Sequence, residues 1–81
     1  MLSTESLTIP KGTNWIEVTN ISICDIQNVT KATVEYSFTD AISKGSRLLT
    51  NQWVEGVSNQ SIFVRSLNQR QTTAISIVRN T

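Results

Sequence analysis

Residues 32–39 read Ala32-Thr33-Val34-Glu35-Tyr36-Ser37-Phe38-Thr39, an unbroken alternation of apolar and polar side chains. Period two places alternate side chains on opposite faces of an extended strand, whereas a helix needs apolar groups every three or four residues. Ala32, Val34, Tyr36 and Phe38 share one face; Thr33, Glu35, Ser37 and Thr39 share the other. The pattern predicts a strand with one side packed and one side in water, as antiparallel sheets allow.

The same period recurs on both sides of this segment. Toward the N-terminus, Leu7 and Ile9 form a short run that Pro10-Lys11-Gly12 closes as a turn. Ile16 and Val18 then alternate with Trp15, Glu17 and Thr19, and Ile21, Ile23 and Ile26 mark a further strand around Cys24. Toward the C-terminus, Asp40 to Ser46 reads as a loop with room for one helical turn, capped by Asp40 and stopped by Gly45. Short strands follow at Arg47–Leu49 and at Trp53–Val57, where Gly56 marks a bulge or an end. Ser61–Ser66 and Thr72–Arg79 close the chain as two strands around a polar loop, and the reading pairs them as a hairpin.

About seven to eight short strands at intervals of roughly ten residues imply an all-β fold, a single small antiparallel β-sandwich or barrel. Its 81 residues fit one domain, 1–81, with residues 1–5 expected as a flexible arm. A chain of this size buries only about 60% of its unfolded surface. With one cysteine and no histidine, neither an internal disulfide nor a zinc site is available to reinforce it. Association with other chains, including copies of itself, is the remaining means of support.

Chemistry is poorly provided for. The absence of histidine removes the usual base of a nucleophilic triad or dyad, and Cys24 is expected to pack as a small hydrophobe. The six acidic residues show no calcium-loop spacing, and three glycines form no phosphate-binding motif. We therefore expect no enzyme activity, no metal and no cofactor. Seven basic and six acidic residues give a net charge of +1, too even for the basic footprint of a nucleic-acid binder. The opening residues lack the pattern of a secretory signal, and no apolar run approaches the roughly 20 residues of a membrane span. The expectation is a soluble protein made in a cytosol.

Candidate binding residues come from broken phase. Trp15 is out of step with Ile16 and Val18, and Phe63 with Ile62 and Val64, so both point away from the core if the in-phase sets face it. Large aromatic groups there suit a subunit interface first and sugar stacking second; the alternatives are cover on both sides of the sheet or a bulge that shifts the phase. Trp53, beside a turn, is ambiguous in the same way. Trp15, Trp53, Phe63 and Arg65 are the candidate interface residues, and Trp15, Tyr36 and Trp53 the candidate platforms for a sugar.

Five segments together carry a resemblance across nearly the whole chain: Leu7–Val18, Ala32–Phe38, Gly45–Leu49, Ser61–Ser66 and Thr72–Val78. In these the chain resembles small all-β bacteriophage virion proteins, of the capsid decoration or cement type or the small modules of tails and fibres. The resemblance implies a structural protein that stabilises the shell through contacts with capsid or other virion proteins. It would be made in the host cytoplasm and reside in the virion. No functional residue transfers from it. The readings kept beside it are a tail, fibre or adaptor module and a carbohydrate-binding or adhesin domain.

Overall fold

The computed structural model describes residues 1–18, 23–39, 44–55, 61–68 and 70–80, and shows eight strands there and no helix. They are β1 (Leu2–Ile9), β2 (Ile16–Val18), β3 (Ile23–Asn28), β4 (Val34–Ser37), β5 (Ser46–Leu48), β6 (Trp53–Glu55), β7 (Ile62–Ser66) and β8 (Thr73–Asn80). Two four-stranded antiparallel sheets result, in the orders β1-β8-β3-β6 and β2-β7-β4-β5. The first strand therefore pairs with the eighth, the second with the seventh, the third with the sixth and the fourth with the fifth. Folding one long four-rung hairpin over onto itself generates this order, the arrangement known as a jelly roll.

The sheets form a sandwich because each strand carries its apolar set on one side. Ile75 and Ile77 of β8 face inward beside Ile9 of β1 and Ile26 of β3, while Val18, Ile62, Val64, Val34 and Leu48 line the opposing sheet. All nine are at most 3% exposed. In β3 the period breaks: Ile23 opposes Arg79, but Asp25 opposes Val78. This bulge adds one residue to one side of the ladder, which is why Ile23 and Ile26 differ in parity yet belong to one strand.

Three expectations are corrected. Of residues 1–5, read as a flexible arm, Leu2 to Glu5 are the first half of β1, with Leu2 opposite Asn80 and Glu5 opposite Ile77. All four are exposed, and Ser3, Thr4 and Glu5 are polar, so apolar periodicity gives no sign of a strand there; what holds them is the backbone ladder of β8. Strands β7 and β8 do not pair as a hairpin but lie in opposite sheets, facing each other across the core. A chain reversal between two apolar runs is legible locally, but whether the runs meet edge to edge or face to face is not. The polar face of β4 does not meet water: Glu35 and Ser37 are buried, at 4% and 8% exposure. The expected helical turn at 40–46 and the role of Gly56 fall largely or wholly outside the described residues, as does the side chain of Cys24.

The connections β1–β2, β3–β4, β5–β6 and β7–β8 gather at one end of the sandwich. Hydrogen bonds tie them together there, from Lys11 N to Thr72 Oγ1, Thr50 Oγ1 to Thr30 O and Leu67 N to Thr33 O. Two of these loops use a positive φ at the third residue of a four-residue turn. Gly12 sits at +79° with Thr13 N bonded to Pro10 O, and Asn51 at +66° with Gln52 N bonded to Leu49 O. Glycine and asparagine are the residues that enter this region most easily.

Candidate functional site

The four candidate interface residues fall on two surfaces. Trp15, Phe63 and Arg65 belong to the outer face of the β2-β7-β4-β5 sheet; Trp53 lies on β6, at the edge of the other sheet. Arg65 stands opposite Glu35 in the β4–β7 ladder, and its Nε donates to Glu35 Oε1 at 3.0 Å. A second guanidinium nitrogen donates to Asn14 Oδ1 at 2.9 Å, and the guanidinium carbon lies 4.2 Å from the Trp15 ring centre. The other carboxylate oxygen of Glu35 accepts the Gly45 N–H at 2.8 Å.

This assembly explains why a glutamate is buried on a face that sequence places in water. Its charge is matched by a guanidinium, both oxygens are hydrogen-bonded, and the indole covers the pair from above. Gly45 is part of the fit: a Cβ there would stand 2.5 Å from the Tyr36 carbonyl oxygen and 2.7 Å from the Trp15 ring. Trp15 and Arg65 thus serve internal packing of the sheet's outer side, with Phe63 half-buried two residues away on the same strand. Of the readings open to these three, cover on both sides of the sheet is the one their geometry matches.

Trp53 is different. It is 65% exposed, and between the edges of β5 and β6 it borders a groove of about 340 Å³ lined by Tyr36, Arg47, Leu48, Asn51, Gln52 and itself. Buried Asn28 ties together three of the residues that line this groove, Leu48, Asn51 and Gln52. Its side-chain amide donates to Ala32 O at 2.7 Å and Leu48 O at 2.8 Å, and its Oδ1 accepts from the Thr30 backbone and hydroxyl. Its backbone exchanges hydrogen bonds with the β5–β6 loop, from Asn51 N to Asn28 O and from Asn28 N to Gln52 O. Sequence reasoning singled out Tyr36 and Trp53 separately. It missed Arg47, Asn51 and Gln52, which read as ordinary strand-end and turn residues until the pairings of β3 with β6 and of β4 with β5 bring them to one edge of the sandwich.

A smaller recess of about 170 Å³ opens at the opposite edge, between β1 and β2, where Arg79 donates to Glu5 at 2.6 Å. Among the described residues, no three His, Cys, Asp or Glu side chains gather as a metal site requires. Among them, too, no helix is long and apolar enough to cross a membrane. Comparison with known proteins gave no match, whether to family models, to curated proteins or to solved structures.

Proposed function

We propose that this protein is a non-enzymatic structural component of a bacteriophage particle, a capsid decoration protein that stabilises the shell by docking on neighbouring subunits. The observation that carries the docking mode is the open edge of β1. Sheet order leaves β1 paired on one side only, over eight residues, whereas the other three edge strands, β2, β5 and β6, have three residues each. An unpaired edge offers a row of backbone donors and acceptors that a strand from another chain can complete.

Natural edges of this length are usually blunted by lysine, proline or a bulge. The run Leu2-Ser3-Thr4-Glu5-Ser6-Leu7-Thr8-Ile9 has none of these, and its single charge, Glu5, is engaged by Arg79. The jelly-roll order accords with the reading, because capsid domains are among those built this way, although the same frame also serves lectins. The resemblance in sequence supplies the phage context. An edge of this kind also lets two copies pair about a two-fold axis, the commonest symmetry of small oligomers.

Cosedimentation tests the proposal. Purified chain is mixed with phage particles from the cells that encode it, and the particles themselves are searched for the chain by mass spectrometry. We expect binding at a fixed ratio to shell subunits. Ser6→Lys, which sets a charge on the exposed face of β1 without touching the core, should abolish binding while leaving the circular dichroism unchanged. A chain absent from the particles and confined to the supernatant overturns the proposal.

A further inference from the structure

We infer that the groove between β5 and β6 binds a saccharide carrying a carboxylate, with Trp53 as the stacking surface and Arg47 as the anion contact. This goes beyond a role in shell assembly and uses a different surface from the β1 edge. Three observations carry it.

The first is composition. A pyranose ring has an apolar C–H face and a rim of hydroxyls, so its binding site needs a flat aromatic surface beside paired donors and acceptors. Trp53 supplies the surface, and its large exposure leaves it available. Tyr36, Asn51 and Gln52 surround it with a hydroxyl and two amides. The volume, about 340 Å³, falls within the range of about 300–1,000 Å³ typical of small-ligand pockets.

The second is unused hydrogen-bonding capacity. Among the described residues, the Arg47 guanidinium, the Trp53 indole N–H, the Tyr36 hydroxyl and the Asn51 side-chain amide find no partner in the protein. Arg47 stands opposite Glu35 in the β4–β5 ladder, but Glu35 spends its oxygens on Arg65 and Gly45. Among the described residues that line the groove none is acidic, and the one formal charge there is the Arg47 guanidinium, whose planar fork matches a carboxylate.

The third is rigidity. The loop bearing Asn51 and Gln52 is held by six hydrogen bonds. Two run to the Asn28 backbone, one from Gln27 Nε2 to Asn51 O, one from Thr50 Oγ1 to Thr30 O, and two close Leu49 on Gln52. Asn51 is the one non-glycine residue with positive φ among those described, and the backbone there is fixed before any ligand arrives. A pre-formed site loses little entropy on binding.

The test uses two-dimensional NMR of the whole ¹⁵N-labelled chain. Its two tryptophans give two indole signals, and Trp15, packed on Arg65 on the other sheet, is the internal control. Sialyllactose and an oligogalacturonate are the acidic probes, lactose the neutral one and a nucleoside monophosphate the competing class. We expect both acidic saccharides to shift the Trp53 indole and the amides of 47–53 with roughly millimolar affinity, while Trp15 stays still. Trp53→Ala should weaken binding at least about tenfold, and Arg47→Gln should remove the preference for acidic over neutral sugar. No response of Trp53 to any saccharide, or a larger response to the nucleotide, overturns the assignment. Equal binding of acidic and neutral sugar by the unaltered chain overturns the role of Arg47.

Discussion

At the scale of single residues, two ion pairs separate what burial does to a charge. Glu35 and Arg65 keep only 5% and 12% of their side-chain surface, whereas Glu5, the partner of Arg79, keeps 56%. Removing one member of a buried pair strands the other, at a cost of about 3–5 kcal/mol. An exposed pair contributes roughly 0–1 kcal/mol. Glu35→Gln should therefore lower the urea midpoint markedly, by about 3 kcal/mol of stability, and Glu5→Gln by less than about 1 kcal/mol. Equal effects of the two would show that the Glu35 network is not what holds the outer sheet face. The network also marks where sequence stopped being readable. Alternation in Ala32–Thr39 identifies the strand, but nothing local shows that Arg65, thirty residues later, will turn its polar side into an interior.

At the scale of elements, β1 is the informative case. Its C-terminal half was legible because Leu7 and Ile9 alternate; its N-terminal half was not, because Ser3, Thr4 and Glu5 carry no apolar signal and are held by pairing alone. Deleting Met1–Glu5 removes the four register pairs from Leu2↔Asn80 to Glu5↔Ile77. At about 0.2–1 kcal/mol for each cross-strand pair, the truncated chain should lose about 1–4 kcal/mol of stability in chemical denaturation. A truly flexible arm would leave the midpoint where it was. The candidate site divides in a similar way. Trp53 and Tyr36 announce themselves by residue type, while Arg47 and Asn51 acquire a role only from the antiparallel pairing of β3 with β6 and of β4 with β5.

At the scale of the whole molecule, the all-β class and an approximate number of strands follow from periodicity, but the choice of sandwich over barrel and the strand order do not. Every pairing except β4 with β5 joins strands that are not consecutive in the chain. Hydrophobic alternation tells each strand which side to bury and says nothing about which neighbour to choose; that choice is made collectively by core packing and by the closing of long loops. The same non-local pairing sets the folding rate. Small all-β domains dominated by distant contacts fold in roughly milliseconds to seconds, far slower than helical bundles. Stopped-flow refolding followed by tryptophan fluorescence should show a main phase in that range. A microsecond phase carrying the full amplitude would mean that the topology forms in some more local way.

The place of β8 between β1 and β3 has a consequence for the cell that makes this chain. The ribosome synthesises β8 after the other seven strands, yet the sheet containing β1 has no centre without it. At about 5–20 residues per second, translation of this length occupies about 4–16 s, and β1 spends most of that time as an exposed nascent segment with no native partner to join. Protection in that interval has to come from outside the fold, from chaperones or from the brevity of synthesis itself.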